Sequence, residues 1–321
     1  MYYLLFSQAG SIVPIAGVIV AFFATIILMK VLADKLPHDQ GRAFAVEGTL
    51  SKGKVRGAGI VFVLVYIASV LIFDHIDMEK IIYLFVIACT MLTGYFDDRS
   101  EKPWNEYFKG ALDLILAVIV AAAYLYWHGN EFYVLYPYSV AIRVPYVLAG
   151  VLIVILVWTS INVTNCTDGV DGLSATLTII TLGSFAICSG WIGMPDDVMY
   201  IVYFITVLVA YLWYNANPSS MLMGDAGSRA MGMLIAIAAL LSGYVLLYIP
   251  FAIVMILDGG LGLLKVALLR FLKIKILVNT RCPLHDQARK VGEWSNTQVV
   301  FRFAIIQTIV NLPFIMYFLT N

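Results

Sequence analysis

Charged and polar positions are bunched along this chain, and the stretches between the bunches are continuously apolar. Such runs approach or reach the ~20 residues that an α-helix needs to cross the hydrocarbon of a bilayer. They predict about ten spans, near residues 12–32, 57–73, 81–96, 110–127, 144–161, 173–190, 198–214, 230–247, 249–271 and 299–319. The eighth runs almost directly into the ninth around Tyr248-Ile249-Pro250. The runs do not alternate apolar with polar, which excludes a transmembrane β-barrel. The first has neither the basic flank nor the small-residue cleavage site of a signal peptide, so it is expected as a retained span. No connection is long enough for a separate soluble unit. The expected architecture is all-α and polytopic, one transmembrane domain over residues 1–321 with its active site in the loops.

Composition sharpens this. Hydrophobic residues make up 62% and charged residues 12%, with a mean hydropathy of +0.91. Soluble domains run at ~45–50% apolar and ~25% charged, so a water-soluble enzyme, a nucleic-acid binder and a disordered scaffold are excluded. The 20 basic and 20 acidic residues cancel, leaving no global field toward a polyanion. Cys89, Cys166, Cys188 and Cys282 show no CxxC spacing, and no His–Cys spacing suggests structural zinc. Distribution matters more than net charge. On the ten-span pattern, 18 of the 20 lysines and arginines fall on one face, leaving Lys80 and Arg143 on the other. The positive-inside rule makes the basic face cytoplasmic and puts both termini outside.

Three connections on that basic face carry unusual sequence. The first is Gly94-Tyr95-Phe96-Asp97-Asp98-Arg99, where adjacent carboxylates repel unless a cation compensates them. The second is Asn162-Val163-Thr164-Asn165-Cys166-Thr167-Asp168-Gly169-Val170-Asp171-Gly172-Leu173. Its two Asp-Gly steps permit tight turns with positive φ, and the helix that follows offers N–H groups to an anion. A calcium loop would need the acid ladder and terminal Glu of an EF-hand, which are missing. The third connection runs from Asn215 to Ser228 and sets Asp225 between glycines just before a helix. Carboxylates able to hold a divalent cation, with Lys52, Lys54, Lys109 and the basic stretch 273–290 around them, are the components of phosphate chemistry.

At these residues the chain resembles the polyprenyl-phosphate N-acetylhexosamine-1-phosphate transferases. The resemblance runs through the spans, the Asp97-Asp98 pair, the NxxNxxDGxDGL loop at 162–173 and MGDxGS at 223–228. The C-terminal loop, with Pro283-Leu284-His285 and the run Trp294 to Phe303, is most similar to the branch handling phospho-N-acetylmuramoyl-pentapeptide. The chain departs from that branch in four places. The first is its TPTMGG motif, which reads Lys54-Val55-Arg56-Gly57-Ala58-Gly59 here, with Lys52 the best match to the lysine before it. The branch's three consecutive histidines become His285-Asp286-Gln287, its KxxxQ motif becomes Lys109 to Asp113, and its span-nine glutamate is matched by Asp258.

The resemblance implies a bacterial plasma-membrane enzyme that moves phospho-MurNAc-pentapeptide from UDP-MurNAc-pentapeptide to undecaprenyl phosphate, giving lipid I and UMP for peptidoglycan synthesis. It also implies Mg²⁺ as cofactor and a homodimer. Asp225 is expected as the metal ligand, Asp97 at the lipid phosphate with Asp98 beside it, and Lys109 and His285 at phosphate or sugar. Asn165, Asp168 and Asp171 are expected on the nucleotide side, with Lys52, Asn215 and Leu222 matching the uridine pocket. A sister transferase using UDP-GlcNAc is the nearer alternative. A secondary transporter is the distant one, because its acids would lie near the bilayer midplane between repeats, whereas these gather at the cytoplasmic edge.

Overall fold

The structure, a computed structural model, describes residues 12–39, 51–100, 104–134 and 141–320. Arg42 and Lys102 of the basic face lie outside them. The chain is a multi-pass membrane protein. Its long helices are α1 (Ile12–Leu32), α2 (Gly59–Phe73), α3 (Met78–Arg99), α4 (Glu106–His128), α5 (Tyr146–Thr167), α6 (Leu173–Trp191), α7 (Pro195–Asn215) and α8 (Gly224–Leu241). A bent pair follows, α9 (Val245–Phe251) and α10 (Ile253–Leu272), then the short α11 (Leu284–Lys290) and the terminal α12 (Asn296–Thr320).

Among the described residues eight helices are long and apolar enough to cross a membrane, and the bent pair makes a ninth. The segment expected at 57–73 is the 15-residue α2, which at 1.5 Å per residue falls short of a ~30 Å hydrocarbon core. A small hairpin, β1 (Glu131–Tyr133) paired antiparallel with β2 (Ala141–Arg143), also departs from the all-helical expectation. It is tied at the end opposite the three motif connections, where Tyr133 N donates to the Gly243 carbonyl (3.2 Å).

Several helices run past their apolar stretches into the motifs. Asp77 caps α3 by accepting from Lys80 N (2.8 Å), and Asn105 caps α4 by accepting from Tyr107 N (2.9 Å). α3 continues to Arg99, α4 starts before Lys109, and α5 continues to Thr167. Asp97, Asp98, Lys109 and Asn165 therefore stand on rigid helix ends rather than on loops.

The eighth span shifts most from expectation, to Gly224–Leu241 from 230–247. Its first turns, Gly-Asp-Ala-Gly-Ser-Arg, lack lipid-facing hydropathy, yet nearly the whole helix is buried inside the protein. Small residues let neighbouring backbones close in on it. α8 is thus the central post, with Asp225 in its first turn.

The ninth span is broken by 67°. The break falls at Ala252, whose φ of −120° leaves the helical region, and the backbone pair of Pro250 and Val254 that it parts inside the membrane needs new partners. Gln307 of α12 supplies them, accepting from Val254 N (2.9 Å) and donating to the Pro250 carbonyl (2.9 Å). Just beyond, a π-type turn over Ile256–Gly260 carries Asp258.

Candidate active site

The adjacent acids at the end of α3 do not share a partner. Asp97 is paired with Lys109 of α4 and accepts from Trp104 N (2.9 Å). Asp98 accepts from Arg56 Nη2 (2.6 Å) and from the backbone N of Asp225 (2.6 Å). Successive helical residues point about 100° apart, so two neighbours serve two different walls. Gly224 makes the second contact possible. It sits at φ +67°, and a Cβ there would collide with Asp98 Oδ2.

After a turn at residues 51–53, the segment from Lys54 to Arg56 runs extended alongside Met221, just before α8. Leu222 N donates to the Val55 carbonyl (2.8 Å), and Ala58 N to the Leu222 carbonyl (3.1 Å). In an extended segment alternate side chains face one way, which brings Lys54 and Arg56 to the same cavity. Lys54 Nζ reaches Ser219 Oγ (2.9 Å) and Asp171 Oδ2 (3.4 Å). Arg56 bridges Asp39 (3.0 Å), Asp98 (2.6 Å) and Asp225 (3.7 Å). Burial works against the Arg56 charge, but Asp98, Asp225 and Asp39 outweigh it and raise its pKa above the ordinary value.

The 162–173 loop is held from below by Asn215 at the end of α7. Its Oδ1 accepts from Gly172 N (2.8 Å) and its Nδ2 donates to the Met221 carbonyl (2.8 Å). Gly172 takes the positive φ expected of the Asp-Gly steps, at +82°. Gly169 is not a positive-φ residue; instead a Cβ on it would strike the ring of His285. Asp171 Oδ2 accepts from Ser219 N (2.9 Å), and Asn165 Nδ2 donates to Ser228 Oγ (2.9 Å).

These elements enclose a cavity of about 400 Å³. Of the expected residues, Asn165, Asp168, Asp171, Asn215, Leu222 and Asp225 line it. Asp97 and Asp98 stand behind the wall, and Lys109 meets Asp97 outside it. Lys52 is exposed and does not line the cavity, whereas Lys54, two residues on and facing the same side as Arg56, does. Sequence reasoning also passed over Asp39, Arg56, Arg289 and Asn296 as site residues, all of them cavity-lining.

His285 is nearly fully buried and fixed by Asp258. One carboxylate oxygen accepts from His285 N (2.7 Å) and the other lies 2.8 Å from Nδ1. A carboxylate is acceptor-only when ionised, so Nδ1 carries the proton. That leaves Nε2 facing Gly169, with Asp286 Oδ1 3.7 Å away. The span-nine acid, unassigned from sequence, thus has a partner in the C-terminal motif. Asp286 itself pairs with Arg289 (2.6 Å), and Gln287 accepts from Arg281 N (2.8 Å).

The profile of the family described as "Glycosyl transferase family 4" matches residues 80–243. The chain is 39% identical over 295 residues to a protein of Treponema pallidum (strain Nichols) named "Phospho-N-acetylmuramoyl-pentapeptide-transferase", covering 86% of this chain and 81% of the relative. Proteins of the same name match at 28% identity in Borrelia garinii subsp. bavariensis, over 78% of this chain and 77% of the relative. In Staphylococcus epidermidis (strain ATCC 12228) the match is 25%, over 92% of this chain and 97% of the relative.

Proposed function

Because this chain belongs to glycosyl transferase family 4, we propose that it transfers phospho-MurNAc-pentapeptide from UDP-MurNAc-pentapeptide to undecaprenyl phosphate, giving lipid I and UMP. The observation that carries this reading is the convergence of the three motif connections on one cavity beside Asp225. In the reaction an oxygen of the lipid phosphate attacks the sugar-bearing phosphorus of the donor. A P–O bond forms there as the bond to the bridging oxygen breaks, and UMP leaves. The second pKa of a phosphate monoester is ~6, so the acceptor is mostly dianionic at neutral pH and requires no strong base.

The active site's charges divide this work. Lys109, held at the end of α4 against Asp97, is the cation for the lipid phosphate. Lys54 and Arg56 meet the donor from the opposite wall. Asn215 and Asp171 shape the uridine side by fixing the 162–173 loop. Asp98 positions Asp225 by accepting from its backbone N–H. His285, locked by Asp258 and not itself lining the cavity, sets Nε2 against Gly169 and so shapes the loop that faces the sugar-phosphate.

Mg²⁺ belongs to the proposal, and the donor set fits it. Mg²⁺ is usually bound through one or two carboxylates plus substrate phosphates, and Asp225 offers a cavity-facing carboxylate. Among the described residues no cluster of three or more candidate protein ligands exists, which suits an ion completed by the donor's phosphates. When bound, it would neutralise charge developing on the transferring phosphates. The arrangement operates in the plasma membrane, at the face where a lipid and a soluble nucleotide meet, and as one transmembrane domain in each copy of a homodimer. The test is incubation of the purified protein with undecaprenyl phosphate and either UDP-MurNAc-pentapeptide or UDP-GlcNAc, with UMP detection. UMP release only with UDP-GlcNAc would overturn the assignment.

A further inference from the structure

The C-terminal motif keeps one histidine, His285, and the structure places a different cation beside it. Arg289 lies four residues on, on the same face of α11, and its side chain lines the cavity. Only 7% of that side chain is exposed. It is held from three elements, donating to Asp286 (2.6 Å) of its own helix, to the Gly169 carbonyl (3.3 Å) and to Asn296 Oδ1 (3.3 Å) at the start of α12. The guanidinium is therefore pre-positioned at the mouth of the 162–173 loop. The bonds to Gly169 and Asn296, at 3.3 Å each, are longer than the usual range, so an incoming oxyanion can replace them at little cost.

The cavity's charge balance points the same way. Asp39, Asp168, Asp171 and Asp225 line it, against Lys54, Arg56 and Arg289. Lys54 is engaged with Asp171, and Arg56 with Asp39, Asp98 and Asp225. A nucleoside diphosphate entering this acid-rich space needs a cation on the side away from Asp225. Arginine presents a planar fork that matches two phosphate oxygens at once, which neither a lysine nor a neutral imidazole does.

We propose that Arg289 grips the diphosphate of the nucleotide-sugar donor, in the role that the missing imidazoles of the His285-Asp286-Gln287 run would otherwise share. This rests on the donor being a UDP-sugar. Asp286 acts as its positioning residue.

The test is calorimetric titration of detergent-purified full-length protein with UDP and, separately, with uridine. Arg289→Gln should weaken UDP at least tenfold and leave uridine within twofold. The uridine titration also reports that the site is still folded. Should Arg289→Gln not yield folded protein, Arg289→Lys decides, with a UDP loss of threefold or more at unchanged uridine affinity supporting the proposal. Equal losses for UDP and uridine, or wild-type UDP affinity, would overturn it. Failure of the transferase reading looks different: wild-type protein would bind UDP, and Arg289→Gln would lose it, yet no UMP would form from UDP-MurNAc-pentapeptide.

Discussion

Asp258→Asn is the sharpest probe of how this site is organised. Asp258 is 1% exposed and satisfies two donors of His285, the backbone N at 2.7 Å and Nδ1 at 2.8 Å. Asparagine keeps one oxygen for those two donors and turns an amide N–H₂ toward the other. No solvent is at hand to satisfy what is left. A hydrogen bond to a charged group contributes about 1.5–3 kcal/mol. Taking about 2 kcal/mol for the lost ring contact, and letting it appear as mispositioning of Nε2, turnover falls ~30-fold. His285→Ala removes the imidazole itself and costs at least ~10-fold. The assay is the initial rate of UMP release for both single variants, the double variant and Asp258→Glu, each checked by thermal melting in detergent. Once the ring is gone, Asp258→Asn has less to disturb, so the cycle should show a coupling of about 1 kcal/mol or more. Asp258→Glu, which keeps both acceptors, should recover part of the rate. An Asp258→Asn enzyme within twofold of wild type, beside a His285→Ala enzyme that has lost tenfold, would refute the positioning role.

Other expectations follow from the same geometry. Asp225→Asn should abolish UMP release while the protein stays monodisperse on size exclusion; near-normal release would remove Asp225 from the metal site. Lys54→Ala should cost about tenfold in kcat/KM and Lys52→Ala less than twofold, and the reverse order would restore Lys52 to the uridine pocket. Cysteine reporters at Ser51, Arg99, Ser220 and Gln287 should label from the cytoplasm, and those at Asp77, Asn130 and Asp197 from outside. One reporter on the wrong face would break the alternation of spans.

Hydropathy located the long helices well because a lipid-facing run must be apolar whatever it packs against. It failed where the neighbour was protein. The first turns of α8 are small and polar, and no window of apolar residues marks them, yet they lie in the protein's interior. The break at Ala252 lies just past the Tyr248-Ile249-Pro250 boundary visible in the sequence, but Gln307, which satisfies the freed backbone groups, comes from 57 residues beyond Pro250. Motif glycines and acids were legible for a similar reason to the helices: tight turns and close approaches restrict residue type locally. Lys54 was harder to single out than Lys52, because the choice between them depends on the turn at residues 51–53, which leaves Lys52 in solvent and sets Lys54 beside the segment that meets residues 221–223.

What no local pattern supplies is the partner of each acid, and here the membrane sets the rule. An ionised carboxylate at a helix end or deeper must be paired, since leaving it alone costs several kcal/mol or shifts it to its neutral form. Asp97 takes Lys109, Asp98 takes Arg56, and Asp258 takes His285. Asp113 shows that the rule extends beyond the motifs. It stands where the related transferases have an uncharged glutamine, on α4 one turn from Lys109, and a lone acid there would be untenable. It is paired with Arg229, the residue directly after the 223–228 motif on α8, and both side chains are almost wholly buried. Asn162 of α5 adds a 3.5 Å contact to the same carboxylate. A buried pair of this kind gains little net stability over an apolar one, but removing either member costs ~3–5 kcal/mol. The pair therefore fixes the helix carrying Lys109 against the helix carrying Asp225, so a departure that weakens the motif in sequence holds the two sides of the site together in space.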